Sequence, residues 1–366
     1  MPSSSRAPGK RLPGGGARDP HSRTQGQVGR MAALTPYQRA AREGIRAAQR
    51  EHQRLGTEFT SRVEIFDVIE NERIWLFFQR LRNLYGAYKR YGDAAGIVVN
   101  SQHPLTLQRY TGGHEYGHHV LGHAASADDE TRIYRRSQAP QEIAAQAFAG
   151  EFLMPLQLVN YVLRTMGLSG RYLPLTARQV YQLSLELGVS YSAAVTQLVG
   201  QHKLTVSAGQ RLRRESPLAV KTGLAGLRPA HSWADVWLLD ESQEGRQFAP
   251  RLRDEIHVML GETPSTGYAW QLVDVTPSVL ALIDDQFETD DDEAIGASGT
   301  RHVAFRVAHA GAGRIRLEKR RPWQHDGEAS ATFEATVSAA APLTGDTEDG
   351  VSEDVKQAVL AGGRAA

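Results

Sequence analysis

Near residue 205 the hydrophobic pattern of this chain changes period, and that change limits the possible folds more than any other feature. Upstream, apolar residues recur at the three-to-four-residue spacing of amphipathic helices. Downstream they alternate, as in EIHVML, HVAFRV, RIRL and TFEATV, with Gly and Pro between the runs. A helix-period segment cannot keep one apolar face in a sheet, and a period-two segment cannot keep one in a helix bundle. Two modules of different class are therefore expected, a multidomain α+β chain. The first, over residues 31–210, is mainly helical with a small sheet that includes GIVVN at 96–100. Residues 211–232 read as a linker, and 233–340 as an all-β immunoglobulin-like sandwich of seven or eight short strands.

The ends read as tails. Residues 1–30 are mostly Gly, Pro, Ser and Arg, with one acid, Asp19, and are expected to form a disordered basic tail; Met31, before a helix-like run, is an alternative start. Residues 341–366 are expected to be a disordered acidic tail with at most a short helix near Val355 to Leu360. The 42 Lys plus Arg nearly balance the 41 Asp plus Glu, so no basic excess marks a dedicated nucleic-acid binder. No apolar run approaches the roughly 18 residues of a membrane span. The chain has no cysteine, which excludes disulfides, thiolate metal sites and a cysteine nucleophile. A cytoplasmic protein is expected, and any metal must sit on His, Asp or Glu.

The stretch RYTGGHEYGHHVLGH, residues 109–123, holds His114, Glu115 and His118 as H-E-x-x-H. On a helix, residues four apart share a face, about 6 Å apart along the axis, so two imidazoles can close on one cation. Glu115 then lies beside the metal as a general base rather than on it. A catalytic zinc site takes three protein ligands and keeps one position open. Glu142 is the preferred third ligand, because Glu142, Ala145, Ala149 and Phe152 fall on one face of a helix whose small residues allow close approach; Pro155 ends that helix. His123 is the rival, but it lies five residues past His118 where the third zincin histidine needs six, with Leu121 at the Gly position, so it reads as packing or as a support behind the ligands. Asp128, Asp129 and Glu130 are further carboxylates within reach. His119 points off the ligand face. Two imidazoles and a carboxylate suit Zn2+ and also accept Mn2+ or iron.

These motifs, with E-x-x-A-x-x-F-A-x-x-F-L-M-P following at this separation, resemble the ImmA/IrrE family of metallopeptidases over about residues 60–205. The resemblance implies a zincin-like domain with His114, His118 and Glu142 on zinc. It further implies an endopeptidase whose substrate is a helix-turn-helix transcriptional repressor. One departure is the doublet Gly112-Gly113, where bulkier residues are usual and which could loosen the start of the helix. Past Pro155, TARQVYQLSLELGVSYSAAVTQLVG has helix-turn-helix form with Ser190 as an N-cap. Its second helix offers few groups that read bases, so packing or substrate docking is expected rather than direct DNA binding.

In the second half, ETPSTGYAW (262–270), IGASGTRHVAF (295–305) and RIRLEKRRPW (314–323) resemble, in this order, the three loop motifs of chagasin-type inhibitors of papain-like cysteine proteases. The resemblance assigns binding to Pro264, Ser265, Thr266, Gly267, Tyr268, Gly296, Gly299, Arg321, Pro322 and Trp323. Such an inhibitor acts as a rigid wedge, with a tight loop at Pro264 and Gly267 and Trp323 as an aromatic anchor. Gly296 and Gly299 would let backbone approach the partner. Thr263, Ser265 and Ser298 depart from the usual Asn, Thr and Gly. Tyr268 and Trp270 also sit at strand spacing, which would make at least one of them core. The expected function is a zinc endopeptidase whose C-terminal module binds a cysteine protease or regulates the peptidase. The alternative is an inactive scaffold that acts by protease inhibition.

Overall fold

The computed structural model describes residues 34–123, 125–129, 139–226, 229, 234–290, 296–324, 328–339 and 345–346. Of the expected tails, residues 1–30, 341–344 and 347–366 lie outside the described residues. Within the second tail, Gly345–Asp346 form a two-residue strand.

In the N-terminal module the helices α1 (Pro36–Leu55), α2 (Ile65–Asn71), α3 (Leu105–Val120) and α4 (Pro140–Leu153) accompany the strands β1 (Trp75–Gln79), β2 (Leu84–Tyr91), β3 (Ala94–Asn100) and β4 (Ala125–Asp129). β1 runs parallel to β3, while β2 pairs antiparallel with both β3 and β4; Gly345–Asp346 extend the sheet beyond β1. Alternation sets the two faces. Leu76, Phe78, Ile97 and Val99 enter the main core, whereas Trp75, Ala87 and Val98 form a second cluster with Phe77 and Leu81. Asn100 pins the β1–β2 turn, its side-chain amide donating to Leu81 O at 3.0 Å and to Leu84 O at 2.8 Å.

Glycine controls how closely these elements approach. A Cβ on Gly44 of α1 would lie 2.0 Å from Ala144 O, so α1 and α4 meet backbone to backbone. The doublet Gly112-Gly113 continues α3 without a break. Cβ atoms there would meet Phe66 at 3.0 Å and Leu153 at 3.4 Å, so small residues let α2 and α4 close on the helix.

Beyond Pro155 follow α5 (Leu156–Thr165), α6 (Ala177–Leu187), α7 (Tyr191–Gly200) and α8 (Val206–Leu212). Thr176 and Gln179 form a capping box at α6, Gly188 (φ +63°) ends it, and Ser190 Oγ caps α7 by accepting from Ala193 N. Tyr191, Ala194, Val195 and Leu198 of α7 are buried, so its apolar face is spent on packing.

The expected linker holds a further helix, α9 (Pro217–Ala225), with Ser216 as N-cap, Pro217 at its first position and Gly226 in the left-handed region after it. Those start and stop signals are local; the helix forms because Val220 and Leu224 are buried in the core.

Among the described residues the C-terminal module has eight strands: β5 (Val236–Leu239), β6 (Arg246–Phe248), β7 (Glu255–Glu262), β8 (Ala269–Val275), β9 (Leu280–Thr289), β10 (Gly299–Val307), β11 (Gly311–Arg320) and β12 (Ala331–Ala339). They form two four-stranded sheets, β5-β7-β10-β9 and β6-β12-β11-β8. Ile256, Val258, Val303 and Phe305 from one sheet join Ile315, Leu317, Phe333 and Val337 from the other in one buried cluster. All sit at period two along their strands, as the sequence requires.

This module is joined to the helices by a buried polar network. Tyr181 of α6 donates to Asp235 Oδ1 at 2.7 Å and accepts from Val236 N at 3.1 Å. Lys221 of α9 lies 3.1 Å from Asp235 and donates to Ala234 O at 2.7 Å; Arg251 also pairs with Asp235. Asp254 takes N–H bonds from Asp235 and Arg251, each at 2.8 Å. No helix among the described residues is long and apolar enough to cross a membrane.

Candidate metal centre and loop cluster

Helix α3 rises through the N-terminal module with its central turns fully enclosed. His114 and Glu115 are 0% exposed and His118 is 1% exposed. The four-residue spacing brings the two ligand rings together, Nε2 to Nε2 at 3.1 Å. Glu142, in the first turn of α4, closes the triangle with Oε2 3.3 Å from His114 Nε2 and Oε1 3.6 Å from His118 Nε2. Two ligands each about 2.05 Å from a tetrahedral cation stand roughly 3.3 Å apart, so these separations match a shared ion. Among the described residues this is the one group of three such side chains able to hold a metal.

The chemistry of the donors fits the same reading. Burial pushes the Glu142 carboxyl up, but hydrogen bonding and charge from His114 and His118 outweigh it and hold the group well below the usual carboxylate range. An anionic oxygen therefore faces two imidazoles, and Glu142 is the one of the three residues that is partly exposed. Ala145, Ala149 and Phe152 continue the Glu142 face of α4 and are all fully buried, which sets the distance between the two ligand-bearing helices.

Glu115 follows His114 on α3 and is fully buried. Strand β2 passes it at Gly86, where a Cβ would stand 2.5 Å from Thr111 Cγ2, 2.7 Å from Val98 O and 3.5 Å from Glu115 Cγ. The missing side chain at Gly86 is what allows the helix to sit so low on the sheet. His119 turns away and meets Tyr88 Oη at 3.2 Å. His123 joins from outside the triangle, its Nδ1 2.7 Å from His118 Nδ1; burial, and then the nearby His118, lower its pKa. The side chains of Asp128 and Asp129, and all of Glu130, lie outside the described residues.

Several residues that support the site carried no sequence signal. Tyr116, on the opposite face of α3, donates to Glu51 Oε1 at 2.5 Å, and Arg54 pairs with both Glu51 and Glu72. Burial and the Glu51 hydrogen bond raise the Tyr116 phenol well above its ordinary range, so it remains a donor. Arg109, one and a half turns before His114, is buried and donates to Glu64, Val63 O and Gly188 O.

A second cluster of candidate residues lies at one end of the C-terminal sheets. Between β7 and β8, Pro264–Thr266 form a 3-10 turn closed by Gly267 in the left-handed region (φ +80°). Thr266 Oγ1 donates to Thr263 O at 2.7 Å, and Thr266 N to the same oxygen at 3.0 Å. A Cβ on Gly267 would stand 2.8 Å from Trp323 Cη2, and one on Gly296 (φ +75°) would stand 3.1 Å from Ser265 Cβ. The three loops therefore meet. The Arg321 guanidinium covers the half-buried Tyr268 ring at 4.9 Å, while Trp323, next to Pro322, is 65% exposed.

Two residues of these motifs serve the interior instead. Trp270 is core, its indole N–H donating to Gly261 O at 3.0 Å. Gly299 is buried inside β10, where a Cβ would be 2.1 Å from Glu288 O of β9; its smallness serves strand pairing, away from the loop surface.

Comparison with known proteins matches two separate segments of the chain. Residues 69–198 match the family model Peptidase_M78, described as the IrrE N-terminal-like domain, and residues 250–337 match the chagasin family of peptidase inhibitors, I42. Similar solved structures include the cysteine protease inhibitor EhICP2 from Entamoeba histolytica, 23% identical, covering 29% of this chain and 97% of that one at a TM-score of 0.27. Amebosin is 22% identical, covering 29% and 98% at a TM-score of 0.26. PbICP-C, solved in complex with falcipain-2, is 12% identical, covering 29% and 91% at a TM-score of 0.22. No curated protein matches the chain.

Proposed function

We propose that the N-terminal module is a zinc-dependent endopeptidase of the ImmA/IrrE type, with His114, His118 and Glu142 as metal ligands and Glu115 as general base. The observation that carries this reading is the closed triangle of His114 Nε2, His118 Nε2 and a Glu142 carboxylate oxygen at separations of 3.1 to 3.6 Å. A divalent cation held there would supply Lewis acidity toward a peptide carbonyl and a water. Glu115 takes the proton of that water on its carboxylate and returns it to the leaving amide nitrogen. The enclosure of α3 holds Glu115 in one position for both transfers. The resemblance to the ImmA/IrrE family implies a cytoplasmic helix-turn-helix repressor as its substrate.

The loop cluster supports a second activity for the C-terminal module: with the fold of an immunoglobulin-like sandwich, it captures a papain-like cysteine protease. Here the observation is the contact of Gly267 with Trp323 and of Gly296 with Ser265, which gathers three separated motifs around one exposed tryptophan. Joined in one chain, the two activities suggest that occupancy of the loops regulates the peptidase.

Metal content per chain, measured by plasma mass spectrometry, tests the first reading. About one zinc per chain is expected in the wild type and none in His118→Ala or Glu142→Ala. A wild-type chain that takes up no zinc overturns it and leaves protease inhibition as the leading function. Titration of papain with the full chain tests the second, which fails if micromolar protein leaves papain fully active.

A further inference from the structure

The C-terminal end of α3 closes in a Schellman motif. Gly122, in the left-handed region (φ +73°), donates its N–H to His119 O at 3.1 Å, and the next N–H, of His123, reaches back to His118 O at 2.9 Å. In this motif the residue after the glycine folds over the residue five positions earlier, a contact usually made by two apolar side chains. Here both are imidazoles. Nδ1 of His123 lies 2.7 Å from Nδ1 of His118, with the rings inclined at 63°. The other ring nitrogen of His118, Nε2, is the one that faces His114 and Glu142.

We propose that His123 is a positioning residue for the metal centre: its Nδ1 accepts a hydrogen bond from His118 Nδ1–H, which fixes the tautomer and ring orientation that aim His118 Nε2 at a divalent cation. The inference rests on the metal-centre reading above. Two ring nitrogens at this distance must share one hydrogen, because two N–H groups would clash and two bare lone pairs would repel. If Nε2 of His118 gives its lone pair to a metal, the ring proton is on Nδ1, and His123 must present a bare Nδ1. Ligand imidazoles commonly send their outer N–H to a carboxylate or carbonyl, which raises their basicity and holds their orientation. In this chain the helix cap supplies that acceptor. Gly122 makes the placement possible: a Cβ there meets nothing within 4 Å, so only its backbone conformation demands glycine.

The test is zinc affinity of the full chain, measured by competition with a chromophoric chelator, alongside the thermal midpoint of the metal-free protein. His123→Ala is expected to weaken zinc binding tenfold to a hundredfold while leaving that midpoint within a few degrees. His123→Asn puts an amide oxygen at the δ position and restores most of the affinity; His123→Gln puts it one bond further out and restores little. Gly122→Ala, which keeps the imidazole but strains its placement, weakens binding as well. Wild-type affinity in His123→Ala overturns the inference, and so does an Asn variant as weak as the Ala variant. A wild-type chain that binds no zinc overturns the underlying metal-centre reading too, and is seen without any variant.

Discussion

Arg109 Nε donates to Gly188 O at 3.1 Å, so the helix that carries His114 and His118 is tied to the turn between α6 and α7. The same guanidinium donates to Glu64 Oε2 at 2.7 Å and to Val63 O, and is only 3% exposed. Burial lowers its pKa, which the Glu64 charge partly offsets. Three partners on two separate segments use the planar fork of arginine, which lysine cannot reproduce.

Arg109→Leu therefore leaves Glu64, Val63 O and Gly188 O without this donor, and is expected to cost about 3 kcal/mol of stability. Arg109→Lys should recover little of it. Urea denaturation of the three proteins measures both effects; equal midpoints for wild type and Arg109→Leu would remove Arg109 from the account of how α3 is held.

Gly86→Ala tests the close approach of β2 to α3. The added methyl meets Thr111 Cγ2 at 2.5 Å and Val98 O at 2.7 Å, and the second of these is backbone that cannot rotate away. Overpacking of this kind costs about 1–3 kcal/mol. Moving Glu115 with it should also lower peptidase activity more than zinc content, which a paired assay of turnover and bound metal resolves.

Glu151 sets a pH dependence. It is buried, accepts from Gln49 Nε2 at 3.1 Å and Gln197 Nε2 at 3.2 Å, and burial holds its pKa above the usual carboxylate value despite those bonds. A raised pKa means that the native state binds the proton more tightly than the unfolded chain. Lowering the pH through the folded pKa toward the unfolded value thus relieves a penalty that is fully present at neutral pH. Glu151→Gln should be more stable than wild type at pH 7, and the difference should shrink as the pH falls toward 4. A difference independent of pH in thermal melts would show that the carboxylate pays no burial cost.

Asp235 joins the two modules. Its carboxylate faces buried Lys221, half-buried Arg251 and Tyr181, and Asp235→Ala removes the partner they share while Arg251 keeps Asp254 and Lys221 keeps Ala234 O, at an expected cost of about 3 kcal/mol. Tyr181→Phe, which removes one hydrogen bond, should cost about 1 kcal/mol. If the network couples the modules, the Asp235→Ala chain melts in two calorimetric steps where the wild type melts in one.

The local parts of this architecture are legible in the sequence. The four-residue spacing of His114 and His118, the small-residue face behind Glu142 and the alternation of β7, β10, β11 and β12 each follow from a period of 3.6 or 2. Gly112-Gly113 invites the opposite expectation, a loosened helix, because a single sequence does not reveal Phe66 and Leu153 waiting to fill the space. The segment 211–232 reads as a linker because its Arg and Gly content outweighs the brief Ser216-Pro217 start signal. Arg109 with Gly188 and Tyr181 with Asp235 are contacts 79 and 54 residues apart, and no local pattern encodes them. His123 falls between these cases: its five-residue offset from His118 disfavours a ligand, while Gly122 before it is the visible mark of the cap that turns it back.

Trp323→Ala separates binding from folding in the C-terminal module. The indole is 65% exposed and lies against Gly267, where there is no side chain to lose packing, so truncation should shift the thermal midpoint by less than about two degrees. Exposed aromatic anchors dominate interface energies, and if Trp323 meets a papain-like protease, its loss should weaken inhibition by at least about thirtyfold, equivalent to 2 kcal/mol. Gly267→Ala gives the complementary case: its φ of +80° and the 2.8 Å approach to Trp323 Cη2 make even a methyl displace the loop. Both variants should lose inhibition, but only Gly267→Ala should also lose measurable stability. Inhibition constants for papain, measured beside thermal melts of the same three proteins, decide the matter. If Trp323→Ala inhibits as tightly as wild type while Gly267→Ala does not, the contact surface is the Pro264–Thr266 turn and the tryptophan merely shields it.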